Sequence, residues 1–303
     1  MAPMAILPAA ASLDLSRLPP FQLADADFEA ERAQILASVG RRLAAIDEAF
    51  DPDAETDPIV ILSEEVALRR VLALQQLNDG ANRLTVAHGD GAALDHLAAS
   101  YYADIGQAVL RQAGETDDRF RWRLMLAAHA RVPGSLPGYM FWALAHAPGL
   151  SDALALNHAS GLVQRGTVAV ILLGDAGDDG PAGEAAQVEL ARAALLDAEH
   201  HLGTDTLQIR AATRLDVALD VVLELDGPGP DAGLVRAAAE AGLARYLAGR
   251  RRIGAPLTQT GLAAALTVGG VLRIRGLPAD LVPAPDQVVR VTGLTLSTEV
   301  TGA

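Results

Sequence analysis

The residues with the strongest claim to chemistry are three glycines, Gly227, Gly229 and Gly233. They lie between the strand-like run Leu215–Leu225 (LDVALDVVLEL) and the amphipathic stretch LVRAAAEAGLARYLAGRRRIG that starts at Leu234. A glycine turn feeding a helix binds phosphate when several backbone N–H groups converge on the anion, at the end where the helix dipole favours negative charge. This loop is poorly built for that. Its spacing is GxGxxxG, Pro228 and Pro230 offer no amide donor, and Glu224, Asp226 and Asp231 repel a phosphate at close range. No Lys-Ser or Lys-Thr pair follows to make it a Walker loop. A structural strand-to-helix turn is the favoured reading; an α/β nucleotide-binding enzyme using the Gly227–Gly233 loop is the alternative.

The other candidates are weaker. His88, His96, His129, His146, His158, His200 and His201 contain no HExxH motif and no i, i+4 pair, and the consecutive Glu199, His200 and His201 would point to different sides of a helix. Asp175, Asp178 and Asp179, with Gly180 at the sixth position, partly imitate a calcium loop. Gly177 at the third position and Ala186 at the twelfth lack the required oxygens, so the segment reads as a solvated turn. Ser135, in GSLPG, is one residue out of register for a nucleophile elbow and has no strand before it, so with Pro137 it reads as a helix start. No catalytic, cofactor-binding or metal-binding residue is assigned, no cofactor is implied, and the chain is expected not to be an enzyme.

The elements around these residues fall into two halves. Leu13–Leu23 is irregular and holds a proline pair, and residues 1–26 read as an extended arm. Asp27–Phe50 then reads as a helix, and Asp57 followed by Pro58 is a strong start signal for a second, reaching about Val86. Leu62, Val66, Ala73, Leu77, Ala81 and Leu84 form its apolar stripe, with Leu68 and Leu72 beside it. Glu64, Glu65, Arg69 and Arg70 suggest a solvated face with local charge pairs. Near thirty residues, about 45 Å long, is more than one small domain buries easily, and such a helix points to a bundle. Short helices over Ala92–Tyr101, Asp117–Ala130 and Leu136–Ala145 complete a helical half ending near Pro148.

Beyond it strand and helix alternate: strands at Thr167–Leu173 and Leu207–Ala212, a helix at Ala185–Leu202, then the stretch from Leu215, a helix at Leu257–Leu266, and strands at Val271–Gly276 and Val288–Leu296. The segment from Thr167 to Gly203 faintly echoes that from Asp216 to Gly254: a hydrophobic strand, an acidic Gly/Pro loop, and an alanine-rich helix with a basic or histidine end. The expected fold is α+β: an N-terminal helical region with one long bundle helix, followed by two small α/β units with mixed sheets, over 151–214 and 215–303.

Composition narrows the function classes. A net charge of −14 argues against a nucleic-acid surface, which needs a clustered basic face. The densest basic run, Arg250–Arg252, ends a predicted helix, where cations complement the dipole. Only 4% of residues are aromatic, too few for stacking platforms or for a strong case as a receptor-binding module. The absence of cysteine excludes disulfides and thiolate sites and fits a reducing cytoplasm. No apolar run reaches the roughly 18 residues of a membrane span. The opening MAPMAILPAAASLDL, without a basic start and broken by Pro3 and Pro8, does not read as a signal peptide.

Several stretches together resemble one family, the baseplate assembly protein J family of contractile phage tails. They are LDLSRLPPFQ at 13–22, DPIVILSEEVALRRVLALQQLNDGANRLTVAHGDGAALDHLA at 57–98, DDRFRWRL at 117–124, PGSLPGYMFWALAHAPGLSDA at 133–153, the stretch with GPGPDAG from Gly227, and Val268–Ser297. Order and spacing hold over nearly the whole chain. The resemblance implies a non-enzymatic baseplate wedge component, with 27–150 as the wedge and core-bundle region. Implied partners are a second copy of the chain and a second wedge protein, a sheath-initiator-like protein, the central hub and spike, and neighbouring wedges in a sixfold ring. Neither nucleic acid nor membrane is among them. Assembly in the host cytoplasm, into the baseplate of a virion tail or a tail-like bacteriocin, is also implied. The acidic Gly174–Gly183 loop and Arg250–Arg252 depart from the family pattern and could be partner-specific contacts.

Overall fold

The computed structural model describes residues 15, 18–46, 48–175, 181–197, 199–201, 203–227, 229 and 231–301. The first fourteen residues of the expected arm, Gly177 to Gly180 of the acidic loop, and Pro228 and Pro230 lie outside the described residues. The chain forms two compact units, one from residues 13–104 and 116–124, the other from 105–115 and 125–303. No helix among the described residues is long and apolar enough to cross a membrane.

The first unit is helical. Helix α1 (Phe28–Ala44) starts at Asp27, whose carboxylate accepts the Glu29 and Ala30 N–H groups, and it stops six residues short of the expected Phe50. Helix α2 (Pro58–Arg83) starts where the Asp57-Pro58 signal put it: Asp57 Oδ1 accepts the Ile59 N–H at 2.7 Å. A tight turn leads to α3 (Gly91–Tyr101). A Cβ on Gly89 would lie 2.7 Å from the Thr85 carbonyl oxygen, so only glycine fits there. Arg121, from helix α4 (Asp117–Ala127), holds this turn by donating to the Val86 and Gly89 carbonyls, each at 2.8 Å. Past Ala127 the chain tightens into a 3-10 turn over Ala128–Arg131.

The second unit is α/β. Helix α5 (Leu136–His146) packs on strand β1 (Leu150–Leu156) and on α6 (Pro181–Leu195). Strand β2 (Thr167–Gly174) is central, antiparallel to β1 and parallel to β3 (Thr206–Ala211). The second sheet has the order β5-β4-β6. Its central strand is β4 (Thr213–Asp226), antiparallel to β5 (Val271–Arg275) and parallel to β6 (Gln287–Thr301), with α7 (Ala232–Arg250) and α8 (Gln259–Leu266) packed over it. The faint sequence echo is thus a real topological one. Each central strand runs through a loop into a helix, gains a parallel neighbour after it and has one antiparallel neighbour. Both sheets are mixed and three-stranded, so the fold is α+β as expected.

Strand β1 was not anticipated. LSDALAL is leucine and alanine around a Ser-Asp pair and carries little strand propensity; six of its seven residues are nevertheless buried between α5 and the sheet, and packing decides its conformation. Helix α6 runs over Pro181–Leu195 rather than Ala185–Leu202. One residue separates β3 from β4, and one apolar cluster holds Leu154, Ile171 and Leu173 of the first sheet together with Ile253 and Val288.

Candidate functional site

Helix α2 is the element on which most of the unusual chemistry of the helical unit gathers. Its inner face is built from Val60, Ser63, Ala67, Val71, Asn78 and Asn82, spaced by threes and fours with one double step and all buried. Two of these residues act as surrogate backbone. Asn78 Oδ1 accepts the Leu23 N–H at 2.8 Å and the Ala24 N–H at 3.1 Å, while its Nδ2 donates to the Ala24 carbonyl at 2.8 Å. Asn82 does the same for Phe21, accepting its N–H at 3.1 Å and donating to its carbonyl at 2.8 Å. An extended segment has no helix or sheet partners, and these carboxamides supply them. The described end of the expected arm is therefore docked on the chain's own long helix.

The polar face expected to be solvated is only half so. Arg32 Nε meets Glu64 Oε1 at 2.8 Å and Arg70 Nε meets Glu31 Oε2 at 2.8 Å, so Glu64 and Arg70 bind α1 across the helix pair. The second contact is an ion pair without hydrogen-bond alignment, since Glu31 Oε2 accepts no hydrogen bond. Of the four residues, Glu65 and Arg69 alone form the local i, i+4 pair, at 2.7 Å and well exposed.

The apolar stripe read from the sequence lies on the side of α2 that the chain leaves exposed. Leu62 (65% exposed), Val66, Ala73, Leu77 and Leu84 (72%), joined by Ile59, point away from α1 and are exposed, and Ile61, Leu68 and Leu72 form a second exposed stripe. The contact with α1 and the arm uses valine, small and amide side chains instead. The sequence signal is the spacing of Val60, Ser63, Ala67, Val71 and Asn78, which a search for leucines passes over. Helix α2 therefore presents apolar residues on two exposed sides.

Elsewhere the candidates are self-satisfied. At the start of α7, Asp231 Oδ1 accepts the Gly233 N–H at 2.9 Å and the Leu234 N–H at 3.1 Å, so the amides a phosphate would need are capped by the protein's own carboxylate. Ser135 caps α5 by accepting the Gly138 N–H, and its hydroxyl donates to the Val132 carbonyl at 2.8 Å. His146 and His200 come together although nothing in their spacing suggests it. The His200 ring stacks on Trp142 at 3.8 Å, with His146 5.8 Å from it, and burial followed by the His146 charge lowers the His200 pKa. Among the described residues no group of three or more histidines and carboxylates is arranged to hold a metal.

Arg250 occupies the last turn of α7, as helix-end capping predicts. The next residues serve a different purpose: Arg251 Nη1 donates to Ser151 Oγ at 3.1 Å and the Ile253 N–H donates to Asp152 Oδ2 at 2.9 Å. These bonds clamp the chain after α7 onto β1. Asp152 sits at an irregularity in the β1–β2 register and is buried, and burial raises its pKa to about 6 against the opposing pull of the Ile253 N–H and Arg252. Beside the clamp, a cleft of about 320 Å³ is lined by four arginines and by leucine and valine side chains.

Residues 55–105, which contain α2, its Asp57 cap and α3, match the family described as Baseplate J-like N-terminal domain. The chain as a whole is similar to Baseplate protein J of Escherichia phage P2, at 27% identity over 301 residues, covering 95% of this chain and 96% of that protein.

Proposed function

We propose that this chain, a relative of the baseplate J proteins along nearly its whole length, is a structural baseplate component of a contractile tail and acts in its assembly as a wedge protein. The observation that carries the reading is the exposure of two apolar sides of α2 within the very stretch that matches the family. Burying such residues stabilises a complex by roughly 25 cal/mol per Å² of apolar surface, so helices laid against both sides turn a surface liability into an interface.

In this proposal α2 enters a bundle with a second copy of the chain and with a second wedge protein. The two small sheets, 151–214 and 215–303, join neighbouring wedges in a sixfold ring around the hub and spike, next to a sheath-initiator-like protein. Assembly takes place in the host cytoplasm, in a phage tail or a tail-like particle, and no catalytic step is involved. The self-capped Gly227–Gly233 loop supports this reading over a nucleotide enzyme.

The test is to co-express the full chain with its wedge partner and follow the complex by size exclusion with light scattering. The variant Leu62→Gln, Val66→Gln and Leu77→Gln alters side chains that are exposed in the isolated chain, so its circular dichroism should match the parent. It should elute alone while the parent elutes in a complex. A complex of unchanged mass and affinity with the folded triple variant would overturn the bundle assignment.

A further inference from the structure

The cleft beside the clamp lies where the end of α7 meets the start of β6, with Leu173 of β2 and Arg214 of β4 at its side. Arg214, Arg250, Arg251 and Arg290 all line it, and none of the described residues lining it is acidic, in a chain whose net charge is −14. Two of the four guanidiniums are neutralised from outside the cleft. Arg290 makes a two-pronged pair with Asp216, at 2.6 and 2.7 Å, and Arg214 meets Glu184 at 3.0 Å. The other two have no carboxylate within 4 Å among the described residues. Arg250 places its guanidinium 5.6 Å from the centre of the Tyr246 ring, and the bond from Arg251 goes to a neutral hydroxyl.

Capping of α7 accounts for one positive charge near the helix end but not for the shape of the cleft. Beside the guanidiniums lie Leu247, Leu257, Val289 and Val291, an apolar wall with room for a hydrocarbon chain. About 320 Å³ is at the lower end of the range for small-ligand pockets. Burial lowers the Arg251 pKa, with Asp175 and Glu184 opposing that shift, so this cation has lost water without a contacting carboxylate among the described residues. Two guanidiniums lining one cleft beside an aliphatic wall match a carboxylate head with a branched or linear hydrocarbon body.

We infer that this cleft binds an aliphatic carboxylate, with Arg250 and Arg251 holding the carboxylate oxygens and the leucine and valine side chains covering the hydrocarbon. The carboxylate can come from the C-terminal residue of another chain or from a free fatty acid; the recognition chemistry is shared.

The full chain is titrated by calorimetry with octanoate, octan-1-ol and inorganic phosphate, and with the peptide Gly-Gly-Leu as free acid and as C-terminal amide. Octanoate or the free-acid peptide should bind saturably, at least about ten-fold more tightly than octanol, phosphate or the amide, each of which offers only part of the ligand. Tighter binding of the peptide acid assigns the site to a chain end; tighter binding of octanoate assigns it to a free acid. Arg250→Gln alters an exposed side chain and should weaken binding at least about five-fold. Arg251→Gln should do the same, and because it also removes the Ser151 contact it is compared after its melting curve. The inference fails if neither carboxylate binds better than octanol and phosphate, or if Arg250→Gln leaves the affinity unchanged.

Discussion

Replacing Asp152 by asparagine should remove one loss of stability that the chain suffers as pH rises. Asp152 is buried on β1, accepts the Ile253 N–H at 2.9 Å, and has its pKa raised from 3.8 to about 6, chiefly by burial. At about pH 3 and below the side chain is largely neutral in folded and unfolded chain alike and carries no penalty. As pH rises from there through 6 the unfolded chain releases a proton that the folded chain keeps, so folding loses stability; above about pH 7 the loss is complete. A shift of about two units corresponds to about 3 kcal/mol. Asparagine keeps an oxygen for the Ile253 N–H and cannot ionise. The free-energy difference between variant and parent should therefore move by about 3 kcal/mol in the variant's favour between about pH 3 and about pH 7.5. Any loss from repacking the carboxamide is the same at every pH and cancels from that change. Urea unfolding of both proteins across the window measures it, with the carboxyl carbon resonance of Asp152 as a direct titration. A difference constant within about 0.5 kcal/mol, or a carboxyl that titrates near 4, would refute the assignment of burial as the controlling cause.

Two further outcomes follow from contacts that can be removed singly. Asn78→Ala takes away three hydrogen bonds to the Leu23–Ala24 backbone, and should cost about 1–3 kcal/mol and raise hydrogen exchange and protease cleavage around residues 21–24 while the exchange of α2 stays near that of the parent. Asp231→Ala uncaps α7 and should cost about 1 kcal/mol, with faster exchange of the Gly233 and Leu234 amides; unchanged exchange there would contradict the capping role.

Local signals carried much of this fold. The Asp57-Pro58 start and the hydrophobic β2 and β4 are decided by nearby residues, and the structure has them where sequence places them. Four features are set by tertiary partners and are not legible in sequence. Strand β1 is written in leucine and alanine, and becomes a strand only because α5 and β2 cover it. The inner face of α2 is Val60, Ser63, Ala67 and Asn78, because its partners are the closely packed α1 and an extended backbone that needs carboxamides. Rules that send large apolar residues inward therefore invert it. The clamp at Asp152 and the stack of His200 on Trp142 join residues 101 and 58 positions apart, and no spacing rule spans that. What sequence did carry about function was the order of weak motifs along the chain, and no single residue.

The claim at the centre of this account is that the exposed apolar sides of α2 are covered in the assembled baseplate. The chain has no cysteine, so Leu77→Cys, 53% exposed in the isolated chain, introduces a unique thiol. Its labelling rate with a maleimide is measured on the free protein and on intact tail particles that contain the variant. Rapid labelling of the free chain and labelling at least about ten-fold slower in the particle is the predicted result. Equal rates in the two states would show that α2 stays open to solvent after assembly and would contradict the interface.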